Sequence, residues 1–217
     1  MSRSPSAIHA DDGESVVPVP PMSRMDIIGV ATATLGVLQP KRLERPGPVD
    51  VLRLIDHQLP ARGVDVYPAA PKDLPGCEAL TIPLGARPTV LMRGDQWRYL
   101  LQGGPRGLRA RATVAHELGH VALHVPFMRR QARDRALPLT RVNRRALRAY
   151  HDPEWQAWCF AGAFLVPPHM VLSVSRGGVA AVAETFQVSR RFAHWYLRVF
   201  SGVLTSLDQE LCDAHRA

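Results

Sequence analysis

Two histidines four residues apart, with a glutamate directly after the first, are the residues of this chain best placed to do chemistry. They stand in the run T-V-A-H-E-L-G-H-V-A-L-H, residues 113–124, as His116, Glu117 and His120. On a helix, positions i and i+4 share a face, so His116 and His120 can offer two imidazole nitrogens to one metal ion. Glu117 stands about 100° around the helix from His116. There it can take a proton from a water that zinc acidifies to a pKa of roughly 7. Two neutral ligands, a water and an adjoining carboxylate form half of a hydrolytic site. The bare motif can arise by chance in a chain with nine histidines, so its surroundings matter. Val114, Ala115, Leu118, Val121, Ala122 and Leu123 wrap it in apolar side chains, as expected of a helix buried beneath a site. Gly119 costs about 1 kcal/mol relative to alanine in a helix interior, which points to a neighbour packed close against the backbone there.

A catalytic zinc held by two histidines needs a third protein ligand and an open position. Glu154 is the candidate. It opens the run D-P-E-W-Q-A-W-C-F-A-G-A-F-L-V-P, residues 152–167. This reads as a buried helix with Asp152 as N-cap, Pro153 in the first turn and Pro167 and Pro168 at its end. A carboxylate at the head of so apolar a helix needs a partner. The alternative is a first-turn acid that only complements the helix dipole. His124, two turns after His116 on nearly the same face, is an outer partner of the ligands, an alternative ligand, or a capped structural histidine. Tyr150 and His151, close in sequence to Glu154, are further candidates for the outer role. His57, His169 and His194 read as surface or incidental residues.

The elements that must position these residues give an α+β fold. Residues 1–22, rich in Pro, Ser and acids, show no periodicity and are expected to be disordered; Met22 and Met25 offer alternative starts. Residues 23–38 read as a helix capped by Ser23, with Ile27, Ile28, Ala31, Leu35 and Leu38 at helical spacing. Residues 49–58 read as a second helix, closed by Pro60. Segments 64–67, 78–84 and 88–92 read as strands separated by Pro and Gly turns, so a small antiparallel sheet is expected against the motif helix. Residues 103–107 form a loop and 108–124 the motif helix. Residues 179–186 and 190–200, joined through Gln187, Val188 and Ser189, read as a helix-turn-helix-like pair. Arg190, Arg191 and Arg198 invite a DNA reading of its second helix, but Phe192, Trp195, Tyr196 and Phe200 make it packed core. The tail from 207 is expected to fray.

A chain of 217 residues with 46% apolar content is long enough for one sizeable core. Its net charge of +8 comes from 27 basic residues, almost all Arg. That is either an electrostatic footprint for nucleic acid or the coding bias of a GC-rich genome. Between 129 and 148 eight arginines face one acid, Asp134. Such a run is a solvated face, or a basic rim for an acidic partner or a nucleic-acid backbone. Cys77, Cys159 and Cys212 make no disulfide framework, which fits a reducing, cytoplasmic compartment. No apolar run approaches the about 20 residues that span a membrane, and the N-terminus does not read as a signal peptide.

Taken in order, the motifs resemble the ImmA/IrrE metallopeptidases. They are P-V-D-V at 48–51, R-A-R-A-T-V-A-H-E-L-G-H-V-A-L-H at 109–124, P-E-W-Q-A-x-x-F-A-x-x-F-L-V-P at 153–167 and the V-S turn at 188–189. The resemblance implies a zincin-like metallopeptidase domain over 23–170, with the C-terminal helical region 171–217 packed on it. It implies one Zn2+ per chain, held by His116, His120 and Glu154, with Glu117 as the catalytic glutamate. The implied activity is that of a zinc endopeptidase cutting an XRE-type helix-turn-helix repressor of a phage, mobile element or stress regulon. Trp158 departs from the family pattern, which usually has Asn or Asp four residues after the ligand glutamate. Phe164 and Val166 replace the more usual Leu and Met. The ligands are untouched, so a change is expected only in the packing behind Glu154. A metal-containing regulatory or DNA-binding module is the rival reading. A purely structural zinc, however, takes a fourth protein ligand and has no use for an adjacent base.

Overall fold

The computed structural model describes residues 15–74, 76–134 and 141–214; the disorder expected of residues 1–14 lies outside them. The first half runs β1 (Ser15–Val16), α1 (Arg24–Leu38), α2 (Val51–Arg53, continued as a π turn over Leu54–Gln58), β2 (Asp65–Ala69), β3 (Ala79–Ile82) and β4 (Thr89–Arg93). There follow α3 (Gly94–Gln102), α4 (Gly104–Gly119), a π turn over His120–His124, α5 (Val125–Arg133) and β5 (Val142–Asn143). The chain ends with α6 (Pro153–Leu165), α7 (Pro168–Ser175), α8 (Gly178–Phe186), α9 (Arg190–Val199) and α10 (Ser201–Ala214). Among the described residues no single helix is long and apolar enough to cross a membrane.

The helix that carries the motif, α4, lies against α6, and α1 covers α6 from another side. Each is fixed locally by its sequence. At the head of α1, Ser23 accepts from the Asp26 amide while Asp26 accepts from the Ser23 amide, a reciprocal cap that satisfies two orphan donors. Ile27, Ile28, Ala31, Leu35 and Leu38 are its buried residues. At the α4–α6 crossing the backbones come close at Gly119. A Cβ there would stand 3.0 Å from both the Cα and the carbonyl oxygen of Ala157, so only glycine lets the helices meet at this separation. The apolar core runs without a break from Ile27 on α1 to Phe200 after α9.

The sheet departs from the expected antiparallel one. Its order is β2-β4-β3, with β2 parallel to β4 and β3 antiparallel to β4. Only β3 and β4 form a hairpin. The connection from 70 to 78 is too long for a tight turn, and it carries the chain past the place β4 later fills. Local turn signals report that the chain turns, not where it lands.

Four helical stretches were not legible as such. Each of α3, α5 and α7 carries Gly94, Pro126 or Pro168 in its first turn, residues that read as punctuation but are compatible with that place. For the same reason α4 begins at Gly104, with Pro105 in its first turn, rather than at 108. The fourth, α10, continues to Ala214 through the tail expected to fray, with Leu207 buried. Residues 15–22 are also part of the fold. Strand β1 pairs with β5, Val19 is buried, and the amides of Val19 and Met22 donate to the carbonyls of His151 and Tyr150. A proline-rich strap has few donors to satisfy, so composition alone misjudges it.

Candidate metal centre

His116 lies in the last turn of α4 and His120 opens the π turn, and their Nε2 atoms stand 3.0 Å apart. From the first turn of α6, Glu154 brings Oε2 to 3.1 Å from His116 Nε2 and Oε1 to 3.2 Å from His120 Nε2. Ligand atoms on a tetrahedral ion at 2.0–2.1 Å stand about 3.3 Å apart, so the triangle is the size a small cation requires. Its members are two imidazoles and one carboxylate, a donor set that suits zinc and leaves a position open. The first turn of α6 is itself held in place. Asp152 accepts from the Glu154 amide at 3.0 Å and is gripped by Arg144 at 2.9 Å. Glu154 is therefore both a first-turn acid and a member of the cluster.

The electrostatics fit a cation trap. Burial alone would raise the Glu154 pKa, but His120 and His116, by charge and hydrogen bond, hold it well below the ordinary carboxylate value. Burial likewise works against a charged His120, yet the Glu154 carboxylate overcomes it and raises His120 to about 9. Without a metal, the site keeps a proton in its place.

Glu117 is buried beside the cluster. Its Oε2 accepts a 2.6 Å hydrogen bond from Thr81 Oγ1 on β3, which fixes the carboxylate through one oxygen. Nothing in the sequence singled out Thr81, because the contact depends on where β3 lands.

Behind the cluster the two imidazoles have unlike surroundings. His120 Nδ1 lies 3.0 Å from His124 Nδ1, and His124 Nε2 lies 3.0 Å from Gln156 Oε1. Gln156, fully buried, donates from Nε2 to the carbonyls of Pro20 at 2.9 Å and Tyr150 at 2.8 Å. Burial, with His120 beside it, pushes His124 down to about 3, so His124 is neutral. His116 Nδ1, by contrast, is buried without a hydrogen-bond partner. Its ring lies against Trp158, with centroids 4.5 Å apart. Sequence reasoning passed over Gln156, although the rule applied to Glu154, that a polar side chain in an apolar run needs partners, would have found it.

The remaining candidates lie further out. Tyr150 joins the network through its carbonyl, while its exposed hydroxyl accepts from Arg148 at 2.7 Å. His151 Nδ1 is 3.1 Å from the Val19 carbonyl. Among the described residues neither of these side chains bonds to His116, His120 or Glu154. His57, His169 and His194 are exposed. Part of the arginine run has internal work: Arg129 donates to the carbonyls of Pro83 and Gly85, and Arg144 supports the α6 cap. Arg130 and Arg133 are exposed, and Arg135 lies outside the described residues.

An α+β fold that sets two helical imidazoles and a carboxylate at one point, with a glutamate alongside, has the parts of a metal-dependent hydrolase. The family model of the IrrE N-terminal-like domain, Peptidase_M78, matches residues 82–197, over half of the chain, and the chain belongs to that peptidase family. The matched span holds His116, Glu117, His120, His124, Glu154 and Gln156; β1, α1, α2 and β2 precede it. No curated protein matches the chain.

Proposed function

We propose that the chain is a zinc-dependent endopeptidase of zincin-like fold, with His116, His120 and Glu154 as ligands of one Zn2+ and Glu117 as the base. The observation that carries this is the convergence of the three ligand side chains beside a glutamate already oriented by Thr81. When bound, zinc acidifies water and polarises a peptide carbonyl. Glu117 takes the proton of the attacking water and passes it to the leaving amine. Thr81 occupies one carboxylate oxygen and leaves the other to the water. Strand β3 is an edge strand next to Glu117, so an extended peptide can add to it by main-chain hydrogen bonds and be held across the site.

For substrate we propose an XRE-type helix-turn-helix repressor, on the strength of the family, and for location the cytoplasm, where Cys77, Cys159 and Cys212, which form no disulfide, stay reduced. The α8–α9 pair has a helix-turn-helix-like outline, with Gln187 left-handed at the turn. Its second helix buries Phe192, Ala193, Trp195 and Tyr196, so that face serves the core, which favours a protein substrate over DNA. Glu117→Gln tests the reading: zinc stays bound and hydrolysis of an unfolded or repressor substrate is lost. Cleavage retained by that variant removes Glu117 from the mechanism.

A further inference from the structure

The hydrogen bonds behind His120 determine one another when followed from their far end. Gln156 Nε2 faces two backbone carbonyls, those of Pro20 and Tyr150. Carbonyls only accept, so the amide nitrogen belongs on that side and the amide oxygen points at His124. That oxygen also only accepts, so His124 Nε2, 3.0 Å away, carries the hydrogen. His124 Nδ1 stands 3.0 Å from His120 Nδ1, and of two facing ring nitrogens one donates and the other accepts; with its hydrogen already on Nε2, His124 accepts and His120 Nδ1 donates. Once the second proton that His120 holds in the metal-free protein is displaced, its lone pair is on Nε2, the atom that faces His116 and Glu154.

We propose, on the reading of His116, His120 and Glu154 as a metal centre, that His124 and Gln156 are its positioning residues. They form a relay anchored on the Pro20 and Tyr150 carbonyls that holds His120 as the Nδ1–H tautomer and aims its Nε2 lone pair at the metal. A histidine ligand that donates its other nitrogen to a fixed acceptor is better oriented and more basic. His116 has no such support, because its Nδ1 is buried and unpartnered, so among the described residues the relay is the hydrogen-bonded support of one imidazole and the other has none. It also ties the site to chain outside the matched family domain, since Pro20 sits on the N-terminal strap and the family match begins at residue 82.

Zinc affinity of the metal-free full chain, read by competition with a chromogenic chelator, tests the relay apart from activity. His124→Phe fills the same space without an acceptor and is expected to bind zinc about 10–100-fold more weakly. His124→Asn keeps an oxygen near the place of Nδ1 and recovers most of that loss. Gln156→Leu weakens binding by less than His124→Phe. Long-range 1H–15N spectra of the zinc-loaded wild type show His124 protonated on Nε2 and bare on Nδ1. Unchanged affinity in His124→Phe, or a His124 protonated on Nδ1, overturns the relay and leaves the metal centre standing. A wild type that takes up no zinc overturns both. Should His124→Phe fail to fold, the wild-type spectra decide alone, because they read the tautomer directly.

Discussion

His116 and His120 are the same residue type, one helical turn apart, aimed at the same point, yet the fold supports them by opposite means. On the His120 side the support is polar and directional: two imidazoles, a buried amide and two backbone carbonyls in series. On the His116 side it is apolar. The ring rests on Trp158, which lies edge-on to Trp195 with centroids 6.4 Å apart. Hydrogen bonds fix which nitrogen carries the proton, whereas packing fixes where the ring lies and says nothing about its proton. A metal site needs both kinds of information, and here they are divided between the two ligands.

The largest expected effect comes from removing what the two sides share. Glu154→Ala takes the carboxylate from both imidazoles, and zinc after dialysis is expected to fall from about one per chain to near zero. Zinc content unchanged in that variant would move the third ligand elsewhere and dissolve the comparison. Next is Trp158→Ala, which sharpens it. Trp158 is 9% exposed, and loss of so large a buried ring should cost the metal-free protein about 3–5 kcal/mol in denaturant unfolding. Zinc affinity should fall by less than in His124→Phe. An equal fall in affinity would mean that packing orients His116 as strictly as the relay orients His120.

The smallest effect is in protons. Because His120 is raised to about 9 in the metal-free protein, zinc uptake at neutral pH should expel about one proton, measurable by calorimetry in two buffers of different ionisation enthalpy. The sign for stability follows. A histidine whose folded pKa lies above its unfolded value of about 6.5 stabilises fully below that value, and the gain is lost as pH rises through 9. Glu154, whose pKa is depressed, contributes in the opposite sense, losing its stabilisation only as pH falls below the ordinary carboxylate range. The metal-free protein should therefore melt at lower temperature as pH rises from 7 towards 9.5, and the zinc-loaded protein should not. Parallel pH profiles for the two forms would show that His120 holds no proton for zinc to displace.

Much of this site is legible in the sequence because its chemistry is local. His116, Glu117 and His120 are related by helical spacing alone, and Asp152 caps the turn that carries Glu154. Gly119 announces a close neighbour, and the neighbour is Ala157. What is not legible depends on where the chain goes between elements. The parallel pairing of β2 with β4 follows from a long connection whose path no turn residue encodes. Thr81 matters only because β3 lands beside Glu117. The proline-rich strap looked unstructured because its usefulness lies in a carbonyl, which every residue has and no side chain advertises. His124 stood open to three readings until its two nitrogens acquired partners.

The π turn over His120–His124 has a consequence for the length of the chain. Four residues of ordinary α-helix rotate about 400°, which would carry His124 about 40° beyond His120. A wider turn rotates less per residue and sets His124 at a different azimuth, where its Nδ1 meets that of His120 at 3.0 Å. The added residue acts as a phase adjustment: it sets the azimuth at which α5 leaves the motif, and with it the reach of Arg129 to the carbonyls of Pro83 and Gly85. A one-residue deletion between His120 and His124 would leave H-E-x-x-H intact and swing everything after it by about 100°. The spelling of the motif would survive, and the timing of the helix behind it would not.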